Sequence, residues 1–344
     1  MNKLLIPILV MYSFIYPQCL GDVNNDYTVD VQDVVLIINN ILYNNEVNYE
    51  FADVNNDENI DLLDIIGVVN IILYEDNLCI PPINIIYNIH ESLPLNWVSE
   101  FYTIIGNLTD VIPANQNYFN DLEIYAWNSS AEDPYPGIQG GTYVGGTNNG
   151  FYMVLEINEM EFAWNHMHRY SVIAHEYFHV YQLSINEPMN EPNGGYNPNT
   201  FSIKWLIEGA ATTFEAMYIQ DYYNYNYFIN DLANTEISDF IHIDPSLFEN
   251  YDSNNIDMNY TSSVFMVLVL AKELIEFGYS EEEAFKMIFK EFMLTGAKNS
   301  NWEDYFINIF GLSVIDFYTV LQSYILDLEN VIPSSSLSIQ QIFN

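Results

Sequence analysis

Positive charge is what this chain has least of. Its 344 residues hold 7 Lys plus Arg against 47 Asp plus Glu, a formal net charge of −40. Such a surface repels nucleic-acid phosphates and anionic lipids, so no nucleic-acid partner is expected. It suits hard cations, above all Ca²⁺, although acidity also serves plain solubility. Long apolar runs are missing too. After the N-terminus no run of about 18 apolar residues occurs, so no membrane span is expected and the mature chain should be soluble. Cysteine is scarce, with only Cys19 and Cys79. What is plentiful is apolar side chain, 50% of all residues. That makes the chain globular rather than disordered, with enough length for one or two domains.

Residues 1–18 read as a secretory signal, with Lys3 followed by the apolar run Leu4-Leu5-Ile6-Pro7-Ile8-Leu9-Val10-Met11. Tyr16 and Gln18 make a poor cleavage site, but export to an extracellular location is the expectation. Export permits a disulfide between Cys19 and Cys79. The alternative is a lipid-modified Cys19, for which Tyr16-Pro17-Gln18 is a poor preceding signal.

An internal repeat follows. Gly21-Asp22-Val23-Asn24-Asn25-Asp26 recurs 31 residues later as Ala52-Asp53-Val54-Asn55-Asn56-Asp57. The first loop sets Asp22, Asn24, Asp26, Asp30 and Asp33 at positions 1, 3, 5, 9 and 12, with the Thr28 carbonyl at position 7. The second sets Asp53, Asn55, Asp57, Asp61 and Asp64 at the same positions, with the Asn59 carbonyl at 7. This is the EF-hand ligand spacing, and oxygen ligands suit a hard cation. Val34–Ile38 and Ile65–Val69 read as helices that bury one another's apolar faces.

Over about residues 19–80 the sequence resembles the type I dockerin family. The resemblance implies an all-α paired EF-hand-like module, two structural Ca²⁺ ions and docking to a cohesin-like partner. Two departures stand out. Tyr27 and Glu58 occupy position 6, where Gly makes the sharp turn most easily. Positions 10 and 11 are Val31-Gln32 and Leu62-Leu63, not the small hydroxyl residues common in the family's recognition pairs. A calcium-stapled spacer without a docking role is the other reading.

Pro81-Pro82 marks a linker, after which a domain spans 83–330, followed by a tail over 331–344. Ile83–Ile89, Leu122–Trp127 and Phe151–Ile157 read as strands, Trp97–Leu108 as a helix, and the Gly-rich Gly137–Gly150 as a turn or flexible loop. Helices are expected over 169–185, 203–224, 261–277, 281–293, 301–310 and 313–328. A small sheet followed by a helical half makes the fold class α+β.

Within the first of those helices lies His175-Glu176-Tyr177-Phe178-His179. Residues i and i+4 share a helix face, so two neutral imidazoles can grip one Zn²⁺ while the Glu beside the first takes a proton from water. A catalytic zinc needs a third protein ligand and an open position. Glu208, in Trp205-Leu206-Ile207-Glu208-Gly209-Ala210-Ala211, is the candidate, because a carboxylate amid apolar residues is costly unless paired or metal-bound. His166 and His168 precede the motif at a spacing that points them apart. His90 and His242 look isolated, and Arg169 is expected to pair with an acid.

With this second helix the chain resembles the gluzincin peptidases of the MA superfamily, specifically over about residues 165–215. The resemblance implies a zincin-type domain and a peptide or protein substrate. It carries zinc ligation to His175, His179 and Glu208, and base duty to Glu176. It also offers Tyr260, opening Tyr260-Thr261-Ser262-Ser263, as an oxyanion donor, and Phe151–Ile157 as a cleft strand pairing with extended substrate. Family members often carry an acid four residues after the ligand Glu; Thr212 stands there, and Glu215 fills the role only if the helix turns differently. The expected activity is that of a secreted zinc-dependent metallopeptidase. A non-catalytic calcium-dependent binding or scaffold protein is the alternative.

Overall fold

The computed structural model describes residues 19–24, 29–43, 47, 49–55, 57–74, 81–147, 150–185, 200–251 and 259–343. Signal-like residues 1–18, the loop ligands Asp26 and Thr28, and Cys79 lie outside them. The chain divides into two compact units, Met1–Pro82 and Ile83–Asn344. Among the described residues no single helix is long and apolar enough to cross a membrane.

The first unit is helical. Helices α1 (Val31–Tyr43) and α2 (Leu62–Tyr74) each start inside an acidic loop, with Asp33 and Asp64 in their first turns. Carboxylates there suit the positive end of the helix dipole. The helices pack together over a small core of Val23, Val29, Ile37, Ala52 and Val68. Ile37 and Val68 are the same position of the two repeats, so each copy buries the other's apolar face.

The second unit is mixed α+β. Strand β1 (Asn84–Ile89) leads through α3 (Leu95–Val111) to β2 (Asp121–Asn128), followed by β3 (Thr142–Thr147) and β4 (Gly150–Ile157). The sheet order is β1-β2-β4-β3, with β3 antiparallel to β4 and the other pairs parallel. Alternation decides the buried face. Leu122, Ile124 and Ala126 register with Phe151, Met153 and Leu155, and all six are buried. On α3, Trp97, Phe101, Ile104, Ile105 and Leu108 form the matching apolar stripe. Helices α4 (His168–Ile185), α5 (Lys204–Tyr223) and α6 (Tyr260–Glu276) follow; α5 packs against both α4 and α6.

Several expectations need correction. The Gly-rich stretch is not all loop, because Thr142–Thr147 forms β3. Its Gly145 lies beneath the Tyr152 ring, where a Cβ would come within 2.5 Å of that ring, so the glycine serves packing rather than flexibility. Phe151–Ile157 cannot pair with a substrate strand, since β2 and β3 occupy both its edges. The edge beside it belongs to β3, which packs against α4. The helix expected over 313–328 ends at Leu321, and a separate 3-10 turn, capped by Asp327, covers Leu328–Asn330. The stretch over 281–293 carries a π-helical segment at Met287–Glu291. Residues 331–343 are no tail: Val331, Leu337, Ile339, Ile342 and Phe343 are buried, and the Phe343 ring stacks on Phe289.

Candidate metal centres

Helix α4 is buried nearly all round, by Val172, Ile173, Ala174, Tyr177, Phe178, Val180 and Tyr181. Its polar residues are therefore carried into the interior, where each must find a partner. Glu208 is delivered by α5. A Cβ on the adjacent Gly209 would lie 2.6 Å from the Ser263 carbonyl oxygen. Only glycine lets α5 and α6 come this close, and the approach brings Tyr260 beside the cluster, its ring 6.2 Å from that of His175.

Three ligand-type atoms converge. His175 Nε2 and His179 Nε2 are 3.1 Å apart. Glu208 Oε2 lies 3.2 Å from His179 Nε2 and 3.7 Å from His175 Nε2. Ligands held at about 2.0–2.1 Å in a tetrahedron sit about 3.3 Å from each other, so the spacing is that of donors around one small ion.

The tautomers follow from the surroundings. The Gln182 amide Nε2 donates to the Ile207 carbonyl at 3.2 Å, which turns Gln182 Oε1 toward His179 Nδ1 at 2.8 Å. Glu215 Oε2 lies 3.2 Å from His175 Nδ1. Both partners are acceptors, so each Nδ1 is the donating nitrogen on that side and both Nε2 atoms are left facing Glu208 Oε2. Two ring nitrogens and a carboxylate oxygen facing one another need either a proton or a metal ion between them. Two imidazoles and one carboxylate are a donor set that fits zinc.

The pKa directions describe the same cluster. Burial works against the His175 imidazolium, but hydrogen bonds to Glu208 and Glu215 hold its pKa well above the ordinary 6.5. Burial also disfavours the Glu208 carboxylate, yet hydrogen bonds from His175 and His179 hold its pKa far below the ordinary carboxylate range. Burial pushes the buried Glu176 carboxyl upward, against the pull of both imidazoles. Tyr260 is pushed up to about 12 by burial and by the charges of Glu208, Glu176 and Glu215, so its phenol keeps its proton at neutral pH.

Gln182, which sequence reading leaves without a role, and Glu215, to which it gives one only if the helix turns differently, both contact the imidazoles. Both were within reach of spacing. Gln182 is three residues beyond His179, and Glu215 is seven beyond Glu208, two turns along the same face. A regular α5 suffices to aim Glu215 at His175; no altered turn is needed. Thr212 makes no such contact. Arg169 does not pair with an acid among the described residues. Its guanidinium donates to the His166 carbonyl and to Asn165 Oδ1, and lies 4.4 Å from the centre of the Tyr170 ring. His168 Nδ1 meets Glu161 Oε1 at 2.9 Å, His90 Nδ1 meets Ser92 Oγ at 2.9 Å, and His242 Nε2 donates to the Tyr324 carbonyl at 2.9 Å. None of these joins the cluster.

In the helical unit the two acidic loops repeat one hydrogen-bond pattern. Asp33 Oδ1 accepts from the Val23 and Asn24 amides at 2.8 and 3.1 Å, and Oδ2 from Asp30 N at 2.9 Å. Thirty-one residues on, Asp64 Oδ1 accepts from Val54 and Asn55 at 2.8 and 3.3 Å, and Oδ2 from Asp61 N at 2.7 Å. Asp53 accepts from the Asp57 and Glu58 amides at 3.1 and 2.9 Å, folding the second loop inward. Asp22, Asp33, Asp53 and Asp64 are all buried. No Lys or Arg occurs between Lys3 and Arg169, so the first unit supplies no basic side chain of its own beyond Lys3. An oxygen-rich loop of this kind fits calcium.

Residues 20–73 match the dockerin type I domain family. No curated protein matches the chain, and no solved structure does. Dockerin domains bind calcium, which is the cation the loops call for. A dockerin domain implies a cohesin partner and is typical of extracellular or cell-surface proteins. Glu58, at position 6 of the second dockerin loop, has φ 65°, the left-handed conformation that favours glycine. Cys19 is disulfide-bonded, and Cys79, to which sequence reading pairs it, lies outside the described residues.

Proposed function

We propose that the second unit is a zinc-dependent hydrolase of peptide bonds, a gluzincin-type peptidase exported from the cell and carried to a cohesin partner by its dockerin domain. The observation that carries this reading is the convergence of two imidazole Nε2 atoms and one carboxylate oxygen at 3.1–3.7 Å, with both Nδ1 atoms already engaged. His175, His179 and Glu208 hold the metal. Zinc supplies Lewis acidity there and brings the pKa of water near neutrality.

The chain's own residues do the rest. Glu176 takes the proton of the attacking water and returns it to the leaving amine. The Tyr260 phenol donates to the substrate carbonyl oxygen as negative charge grows on it. Glu215 and Gln182 hold the imidazoles in the ligating tautomer. Strand β3, with an edge unclaimed by β4 and α4 packed against it, offers backbone groups to an extended peptide. The apolar-run leader over residues 1–18 supports export.

For the dockerin domain, Val31, Val35 and Leu42 and their repeat partners Leu62, Ile66 and Leu73 are exposed. They support a docking role through apolar contact. The same residues favour the second reading, a calcium-dependent binding protein without catalysis.

A fluorogenic peptide library separates the two. Cleavage that a zinc chelator abolishes and added zinc restores is expected, with one zinc per chain by metal analysis. Binding of a partner in calcium without any peptide cleavage by the zinc-loaded protein would leave only the second reading.

A further inference from the structure

Lys204 is the residue that neither the zinc ligands nor the helix explains. It is one of seven basic residues in the chain, and its Nζ lies 3.2 Å from Glu208 Oε1. Local helix physics argues against its position. It is the first residue of α5, where the helix dipole disfavours a cation. Its pairing with Glu208 runs Lys before Glu at i, i+4, the weaker of the two orders. The lysine side chain is 43% exposed while the carboxylate is 14% exposed, so a surface ion pair gains little by this arrangement. What the contact does achieve is a division of the Glu208 carboxylate. Oε2 faces both imidazole Nε2 atoms, and Oε1 faces the ammonium.

We infer that Lys204 is a positioning residue that keeps Glu208 a one-oxygen metal ligand. This rests on the metal-centre reading above. The ammonium at 3.2 Å gives Oε1 a partner away from the ion, which favours leaving open the coordination position that water needs. The ammonium also withdraws electron density from the ligating carboxylate and adds a positive charge near the site. Both effects weaken metal affinity and strengthen the Lewis acidity left for the substrate. Lys204 thus trades binding strength for an open, more electrophilic centre.

The consequence separates this role from a structural one. Loss of a merely structural contact loosens the metal. Loss of Lys204 is expected to tighten it and still cost activity. The full chain is compared with Lys204→Met and Lys204→Arg, using zinc affinity by competition with a chromogenic chelator, X-ray absorption at the zinc edge, and peptide hydrolysis. Lys204→Met is expected to bind zinc more tightly than wild type, because a positive charge beside the ion is removed. It should show one added oxygen scatterer and lower kcat, with KM little changed. Lys204→Arg, which keeps the charge, is expected to restore affinity and kcat toward wild type. Weaker zinc binding by Lys204→Met, or unchanged affinity with unchanged scatterers, overturns the inference while the metal centre stands. Absence of bound zinc from wild type equilibrated with excess zinc overturns both.

Discussion

Glu215 Oε2 lies 3.2 Å from His175 Nδ1, two helical turns beyond Glu208 on the same face of α5. One helix therefore supplies both the carboxylate that faces the imidazoles and the carboxylate that orients one of them. Gln182 does for His179 what Glu215 does for His175, but from within α4, and it borrows the Ile207 carbonyl of α5 to fix its amide.

Replacing Glu215 by Gln keeps shape and removes charge. Zinc affinity is expected to fall about 10–100-fold, the usual effect of a lost partner behind a ligating histidine. Chelator competition measures it, and an unchanged affinity would deny Glu215 any part in the centre.

Glu176→Gln is expected to retain one zinc per chain and lose hydrolysis by about 10²–10⁴-fold, the range of a general base. Single-turnover peptide cleavage with parallel metal analysis checks it. Near-normal activity in that variant would reject the proposed mechanism.

Tyr260→Phe removes one hydroxyl from a side chain that is 43% exposed, so the fold should persist. The loss is expected in kcat, about 10-fold or more, with KM little moved, because the donor acts on charge that develops only during reaction. A change confined to KM would assign the phenol to substrate binding.

Metal loading is expected to release protons. In protein stripped of metal by a chelator, His175 has a pKa raised well above 6.5, so its imidazolium stabilises the fold fully below about pH 6.5 and that contribution is lost as pH rises through the raised value. Glu208 is shifted down from 4.5, so its contribution is present above 4.5 and lost as pH falls through the lowered value. Stripped protein should therefore be most stable between those two limits. At pH 7 zinc should displace the His175 proton. Titration calorimetry in buffers of different ionisation enthalpy counts it; no buffer dependence would contradict the charge state argued for the cluster.

Glu58→Gly relieves a left-handed conformation at φ 65° while keeping the amide that donates to Asp53. The calcium-loaded dockerin domain is expected to gain about 1 kcal/mol, read as a higher thermal midpoint. An unchanged or lowered midpoint would mean that the Glu58 side chain repays its backbone cost.

Local spacing alone determined a good deal of this protein. Two acidic loops at a 31-residue offset announce paired cation sites, and His175 and His179 share a face wherever that stretch is helical. Both follow from chain geometry within a few residues, which needs no knowledge of the fold. The tertiary structure decided what depends on distance between elements. Which carboxylate meets the imidazoles depends on the close approach of α4 and α5, and the nearness of Tyr260 depends on Gly209 admitting α6. The edge strands among the described residues proved to be β1 and β3, because sheet order is set by how all the strands share one core, and no single strand's sequence encodes its neighbours. The partition of Glu208 between two histidines and Lys204 belongs to the same class, since a carboxylate's two oxygens acquire different roles only when the groups around it are in place.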